Sequence, residues 1–176
     1  GAVYNWKNGD DSSVGVAIPD DAGYKISIPA ADYPRVLTFV SGVWNSEAGI
    51  SIYANGDATP VYTNAELKAG GDAVNKKYTI NIRSGNSLEV VCKMTKKGHS
   101  YGNLNLSAIA LGKMEMPDSV KVDIKAASGS MNLTEMGDLD WVHLTGLTNS
   151  SSTSKLITTR KAGVEPQIVF ETFKDN

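Results

Sequence analysis

Apolar and polar residues alternate with a period of two along much of the chain. The clearest alternation runs through residues 78–82, 88–94, 104–108 and 120–124. Each of these segments predicts a β-strand with one face on a core and the other in water. Residues 36–40 are apolar on both faces apart from Thr38, which predicts a central strand. Shorter strands are predicted at residues 24–28, 50–54, 61–62, 141–145, 156–159 and 168–173.

Turn-forming residues separate the alternating segments. Residues 8–10 and 55–57 both read Asn-Gly-Asp after a strand aromatic, which suits hairpin turns that need positive φ. Residues 84–86, Ser-Gly-Asn, join two strongly alternating segments and predict a hairpin over 77–95. Residues 96–100 predict the turn of the next hairpin along the chain.

Helical periodicity is almost absent from the sequence. No window of helical length carries an amphipathic stripe, and only residues 63–67 suit one helical turn, with Asn64 as its cap. Ten or more short strands, spaced by roughly 8–12 residues, are typical of a sandwich or barrel. The pattern therefore predicts an all-β fold, and we take it to be an antiparallel β-sandwich.

Composition narrows the function classes. The chain has 176 residues, a formal net charge of −2 and 41% apolar residues, which does not suit a disordered chain. A balanced charge also argues against nucleic acid as a partner, because such binding depends on releasing counterions from phosphates. A single Cys excludes an intrachain disulfide. No apolar run approaches the roughly 20 residues of a membrane span, so none is predicted.

The sequence does not favour catalysis. No Gly-x-Ser-x-Gly motif is present, His99 lies in a predicted loop, and His143 and Cys92 lie in predicted strands, with Cys92 on the inward side. A glycosidase needs two carboxylates across a cleft, and the candidates fall almost entirely in turns. These candidates are Asp10, Asp20, Asp32, Asp57 and Asp140. We expect a protein that is not an enzyme.

Carboxylates in the first loops suit calcium better than zinc. Asp10 and Asp20, each followed by a second Asp, could join backbone carbonyls around a structural calcium ion. The spacing matches no EF-hand loop, and solvated turn carboxylates are the alternative.

Aromatic and planar polar side chains near strand ends suit a sugar ligand. A sugar packs its CH face on an aromatic ring while arginine and amide groups meet its hydroxyls. Trp44 and Asn45 end a predicted strand, and Arg35 follows Pro34 as the best-placed loop arginine. The candidate carbohydrate-binding residues are Trp44, Arg35, Asn45, Trp6 and Tyr33. Each of them could instead pack at the edge of the core.

Residues 132–144, Asn-Leu-Thr-Glu-Met-Gly-Asp-Leu-Asp-Trp-Val-His-Leu, resemble the "LTxxGxxDWxHxG" opening of a class of galactose-binding-like β-sandwich modules. These modules occur in secreted bacterial glycoside hydrolases and surface proteins. Further segments resemble other parts of the same modules. They are WKNG at 6–9, IPAAD at 28–32, RVLTFVSGVW at 35–44, LNLSAIAL at 104–111 and RKAG at 160–163.

The order of these segments differs from that of the modules, whose opening motif comes first. The chain is therefore expected to be one sandwich over residues 1–176 with permuted strand order. The alternative is a main module at 1–113 followed by a partial second module at 117–176. Chain termini that lie close together would allow either arrangement.

The resemblance implies a jelly roll whose relatives bind carbohydrate through loops at one end and hold a structural calcium. We therefore expect a non-catalytic module that binds or targets a glycan, as one part of a larger multidomain protein. The expected location is extracellular or at a bacterial cell surface. The alternative is a structural spacer or protein-interaction module without a sugar ligand.

Overall fold

A computed structural model describes residues 3–6, 16–18, 22–98, 102–114, 122–126, 129–145 and 157–174. Strands dominate these ranges, and one four-residue helix occurs among them. In chain order the strands are β1 (Val3–Trp6), β2 (Val16–Ile18), β3 (Ala22–Ile28), β4 (Arg35–Trp44), β5 (Ser46–Ala54), β6 (Tyr62–Lys68), β7 (Ala73–Ile82), β8 (Leu88–Lys97), β9 (Asn103–Lys113), β10 (Val122–Ala126) and β11 (Gly129–Asn132). Helix α1 (Leu133–Met136) follows, and then β12 (Asp140–Thr145), β13 (Ile157–Arg160) and β14 (Val169–Lys174).

Two large antiparallel sheets form a sandwich, which confirms the predicted all-β fold. A seven-stranded sheet has the order β10-β7-β4-β9-β12-β13, and β2 also pairs with β9. A five-stranded sheet has the order β14-β3-β8-β5-β6. Strands β1 and β11 pair with each other as a separate small sheet. Of these strands, β1, β2 and β11 were too short and irregular for the alternation to predict.

The main core lies between the inner faces of the two large sheets. Strand β5 shows the pattern clearly, because buried and half-buried residues alternate along its whole length. Phe39 of β4 stacks on Tyr78 of β7, with ring centroids 4.8 Å apart, and both side chains are buried. Alternating apolar residues thus pack where the period of two predicts them.

Strand β4 is central, as predicted. It lies between β7 and β9, and eight of its ten residues are buried. One face contributes Leu37 and Phe39 to the main core, and the other contributes Val40 to a second apolar cluster. The remaining buried members of that cluster are Ala108, Ala110, Met131 and Leu133, with Met136 and Trp141 packed against them.

Both predicted hairpins after residue 77 are wrong. Strand β7 belongs to the seven-stranded sheet and β8 to the five-stranded sheet, so residues 83–87 cross from one sheet to the other. The next connection, from β8 to β9, crosses back again. A pattern of alternation locates strands, but it does not say which strand is hydrogen-bonded to which, because a short link suits either connection.

The predicted helical turn at residues 63–67 is also wrong. These residues lie in β6, which pairs with β5 and forms one edge of the five-stranded sheet. One isolated helical turn is a costly nucleus with few hydrogen bonds, whereas the strand gains a ladder with β5.

The predicted turn at 55–57 is confirmed, since Asn55 and Gly56 have φ of 56° and 75° and the Asp57 amide donates to the Ala54 carbonyl at 3.0 Å. The similar segment at 8–10 lies outside the described residues.

Candidate functional site

A cleft of about 530 Å³ opens on the outer face of the five-stranded sheet. It lies where β3 ends, β8 begins and β5 ends. The residues around it are Ser27, Ile28, Pro29, Tyr53, Gly56, Asp57, Ser87, Leu88, Glu89 and Val169. We call this the tyrosine cleft, because Tyr53 is the one aromatic residue among the described residues that line it.

The outer side chains of the cleft come from one row across the sheet. Val169 of β14 is paired with Ser27 of β3, Ser27 with Glu89 of β8, and Glu89 with Tyr53 of β5. Residues in register on neighbouring strands point to the same face, so the four side chains stand side by side. Val169 is 54% exposed, which places apolar surface at one end of the row.

The turn after β5 forms a fixed wall of the cleft. The amide of Asn55 donates to the Ser87 carbonyl at 3.2 Å, and the Ser87 amide donates to the Asn55 side-chain oxygen at 3.1 Å. Positive φ at Asn55 and Gly56 sets the direction of the turn. The two hydrogen bonds hold this turn against the start of β8, so the positions of Asp57 and Ser87 are coupled.

Arg35 lies buried behind the tyrosine cleft and holds two of the loops at its rim. The prediction of a loop position for Arg35 is wrong, because it is the first residue of β4 and is 0% exposed. Its guanidinium donates to the Pro29 carbonyl at 2.6 Å and to the Asn86 carbonyl at 2.7 Å. Burial lowers the pKa of the Arg35 guanidinium from its ordinary value. Arg35 thus joins two loops at the rim of the cleft and is closed to solvent.

Charged side chains beside the cleft are paired with each other. The Lys25 ammonium lies 2.5 Å from the Glu171 carboxylate and 3.4 Å from that of Glu89. The hydrogen bond to Glu171 is the main cause of a raised pKa for Lys25. Glu89 therefore takes part in both the cleft and an ion pair that fixes its position.

A second cleft, of about 370 Å³, lies at the opposite end of β5. Its central group is Glu47, whose carboxylate lies 3.3 Å from the Lys68 ammonium and 3.6 Å from that of Lys96. The hydrogen bond from Lys68 is the main cause of a lowered pKa for Glu47. The lining residues are Ser46, Glu47, Lys68, Ala69, Gly70, Lys96 and Gly98. We call this the lysine cleft.

Trp44 and Asn45 hold the end of the lysine cleft. The Trp44 indole is half-buried and its Nε1 donates to the Gly71 carbonyl at 2.8 Å. Asn45 has φ of 47°, its amide donates to the Gly70 carbonyl at 3.1 Å, and its carbonyl accepts from the Gly98 amide at 2.8 Å. Both residues therefore position the backbone that lines this cleft. Contact between Trp44 or Asn45 and a sugar remains a prediction.

Among the predicted sugar-binding residues whose side chains the structure describes, Arg35 and Tyr33 lie at one end of β4, and Trp44 and Asn45 lie at the other. Arg35 and Trp44 are the first and last residues of β4, which separates them by roughly 30 Å. Tyr33 lies half-buried near Arg35, and the Lys113 ammonium lies 5.3 Å from its ring centroid. Trp6 lies in β1, and its side chain is outside the described part of the chain.

The predicted calcium ligands Asp10 and Asp20 lie outside the described residues. Within the described ranges, no group of three or more His, Cys, Asp or Glu side chains could hold a metal ion. A structural calcium at the first loops stays a prediction.

Three residues that the sequence offered as catalytic candidates, Cys92, His143 and Asp140, are buried or half-buried. Cys92 is buried in the main core, as predicted, and burial raises the pKa of its thiol to about 12. Burial also lowers the pKa of His143, which lies half-buried in β12. Asp140 is 1% exposed and accepts hydrogen bonds from the amides of Gln167 and Ile168, at 2.9 and 3.0 Å. It therefore fixes the segment before β14.

Sequence reasoning missed the outward row of the tyrosine cleft. A signal existed for Tyr53, because it is the aromatic residue on the polar side of an alternating strand and precedes an Asn-Gly-Asp turn. No signal existed for Ser27 and Glu89, because their approach to Tyr53 depends on the pairing of β3, β8 and β5.

Comparison of the chain with protein-family models, curated proteins and solved structures finds no match. In the ranges that the structure describes, no helix combines the length and the apolar character needed to cross a membrane.

Proposed function

We propose that this protein is a non-catalytic carbohydrate-binding module and that a sugar binds in the tyrosine cleft. The observation that carries the proposal is the position of Tyr53, half-buried on the outer face of the sheet between Glu89 and a rigid turn. An aromatic ring beside fixed polar groups is the combination that a sugar requires.

The polar groups of the cleft complement sugar hydroxyls. Glu89 and Asp57 offer carboxylate oxygens that accept hydrogen bonds, while Ser27 and Ser87 offer hydroxyls that both donate and accept. The ion pair with Lys25 and the turn hydrogen bonds to Ser87 hold these groups before a ligand arrives. Preorganisation reduces the entropy lost on binding, which matters for a ligand as polar as a sugar.

We further propose that the chain is one domain organised as a jelly roll. The strand orders β2-β9-β4-β7 and β3-β8-β5-β6 support this, because they are the orders that two Greek keys produce across two sheets. Strands β10, β12 and β13 extend the seven-stranded sheet and β14 extends the other. These pairings of the last third of the chain with both sheets favour one domain over two modules.

The setting of the module follows from the resemblance described above. We propose that it is part of a larger secreted or surface protein of a bacterium and that it brings that protein to a glycan. A structural calcium at Asp10 and Asp20 belongs to the same proposal.

Retention on immobilised polysaccharides and a glycan array tests the proposed function. We expect the protein to bind at least one neutral glycan, Tyr53→Ala to lose binding at least tenfold, and Tyr53→Phe to keep most of it. Tyr33→Ala is the matched control, since Tyr33 is a half-buried tyrosine outside the cleft. Melting curves of all variants establish that they fold.

Three other results would each point elsewhere. Loss of binding in Tyr33→Ala or Trp44→Ala, with Tyr53→Ala unaffected, would move the site to the residues predicted from the sequence. Failure of the folded protein to bind any glycan would favour the structural spacer. Hydrolysis of a glycan that Glu89→Gln and Asp57→Asn each abolish would show that the cleft is catalytic.

A further inference from the structure

We infer that the ligand is an extended, linear and uncharged polysaccharide chain that runs along the outer face of the five-stranded sheet, from the tyrosine cleft to the lysine cleft. This inference rests on the proposed function and adds to it the length, direction and charge of the ligand. A module that recognises a chain end or a single sugar would use the tyrosine cleft alone.

The two clefts share one face of one sheet. Tyr53 lines the first and Glu47 the second, and both belong to β5. Tyr53 and Glu47 are six positions apart, which corresponds to roughly 20 Å along the strand. Several sugar units of an extended chain fit this span, so one chain can occupy both clefts at once.

The outward residues of β5 between the two clefts have small side chains. They are Ser51 and Gly49, and the residue of β8 paired with Ser51 is Val91. A methyl group at Gly49 would lie 3.6 Å from the Thr95 methyl carbon and 3.7 Å from the Asn64 carbonyl oxygen, in ordinary contact and with no clash, so a small side chain fits there. The small side chains of Gly49 and Ser51 leave room for a chain to lie close to the sheet, and the pairing of β5 with β6 shifts its register between Ala48 and Ile50. We call the strip formed by Gly49, Ser51 and Val91 the floor.

The charges around the floor favour a neutral chain. Lys25 is paired with Glu89 and Glu171 beside the tyrosine cleft, and Glu47 with two lysines in the lysine cleft. Together with Asp57 and with Lys93, which is paired with Gly49, these make four acidic and four basic side chains among the described residues around the floor. A polyanion would meet the acidic groups of the tyrosine cleft, and a polycation would meet the lysines. A chain of hydroxyl groups can hydrogen-bond to both signs of charge.

The first test measures affinity against ligand length by calorimetry. The probes are xylo-, cello- and manno-oligosaccharides from the disaccharide to the hexasaccharide. We expect affinity for at least one series to rise at least tenfold from the disaccharide to the hexasaccharide, which is about 1.4 kcal/mol. Affinity that stays constant with length while Tyr53→Ala still abolishes binding would overturn the extended chain and leave the proposed function standing. Lack of binding in all three series would overturn the inference.

The second test blocks the floor with one substitution and alters the lysine cleft with another. Ser51→Trp places a large side chain between the clefts, and we expect it to reduce hexasaccharide affinity about tenfold while disaccharide affinity changes less than twofold. Lys96→Ala should lower hexasaccharide affinity selectively as well. Lys125→Ala is its matched control, because Lys125 is an exposed lysine in an ion pair on the other sheet. Equal effects of Lys96→Ala and Lys125→Ala would remove the lysine cleft from the binding surface.

The third test concerns charge. Oligogalacturonides of the same lengths serve as anionic probes, and we expect them to bind at least tenfold more weakly than the best neutral series. Equal or tighter binding of the anionic chains would overturn the assignment of a neutral ligand.

Discussion

The two outer faces of the sandwich differ in what lies on them. On the seven-stranded sheet, the outward positions Val40, Ala108 and Ala110 are buried beneath Met131 and Leu133 of the β11–α1 segment. On the five-stranded sheet, the outward positions carry Lys25, Glu89 and other charged or hydroxylated side chains, and the Glu89 side chain is 42% exposed. We refer to these as the covered face and the open face.

The comparison shows that alternation alone does not determine whether the outer face of a strand is exposed to solvent or covered by another part of the chain. Alternation with Lys, Glu and Ser at the second position leaves a surface that water or a polar ligand can meet. Alternation with Ala and Val at that position requires a cover, because apolar surface of this size is stabilised only when it is buried. The four predictions that follow test this difference, in order of decreasing effect on the free energy of unfolding.

The largest effect is expected for a charge placed on the covered face. Ala110→Asp puts a carboxylate between Trp141 and Thr38 in the second apolar cluster, which should lower the free energy of unfolding by about 3–5 kcal/mol. Ser51→Asp is the matched change on the open face and should alter it by no more than about 0.5 kcal/mol. Urea unfolding measures both. Similar losses in the two variants would mean that the faces do not differ.

Asp140, in β12, connects the seven-stranded sheet to the segment that leads into β14. Asp140→Ala leaves the amides of Gln167 and Ile168 without an acceptor and should cost about 2–4 kcal/mol. Asp140→Asn retains a side-chain oxygen and should cost less. Hydrogen exchange should then increase first at residues 167 and 168. Unchanged protection of these amides would contradict the assigned role.

Two glycines distinguish the faces by the space above them. A Cβ at Gly112, beneath α1, would lie 2.5 Å from the Met136 carbonyl oxygen, so Gly112→Ala should lower the free energy of unfolding by about 1–3 kcal/mol. A Cβ at Gly49, on the open face, would make ordinary contacts. Gly49→Ala should therefore be neutral or stabilising by about 0.5 kcal/mol. Thermal and urea unfolding decide the order, and a stable Gly112→Ala variant would show that α1 is free to shift.

The smallest effect is expected for the ion pairs of the open face. Lys25→Met removes the one ammonium group that contacts both Glu89 and Glu171 and should cost less than about 1 kcal/mol, with a smaller cost at high salt. Because the pKa of Lys25 is raised, its contribution is present at neutral pH and is lost as the pH rises above the ordinary 10.5. Unfolding at low and high ionic strength measures the change. A cost that salt does not alter would mean that Lys25 acts through packing.

Secondary structure could largely be predicted from the sequence, and strand pairing could not. The alternation locates β7 and β8 because buried side chains recur at every second residue over 78–82 and 88–94. The five residues between these strands suit either a hairpin or a crossing, and the crossing is stabilised by distant partners. The Arg35 guanidinium binds the Asn86 carbonyl, and the Gly85 amide binds the Ala31 carbonyl at 2.6 Å.

The candidate site followed the same division. Arg35 has the residue type of a sugar ligand and the neighbourhood of a loop, but burial turns its donors toward two backbone carbonyls. Tyr53 has the residue type of a strand aromatic, but it is in register with Glu89 on the outer face of the sheet. Residue type indicates what chemistry is available, and exposure decides whether a ligand can reach it.

The sequence by itself determined the all-β class, most of the strands, the central position of β4 and the inward side of Cys92. These features are local, since they depend on which side of a strand each residue occupies. Only the tertiary structure decided which strands pair, which sheet face is covered, and which polar groups meet at a cleft. These features depend on residues that are far apart in the chain, and a period of two is the same whatever the partner strand.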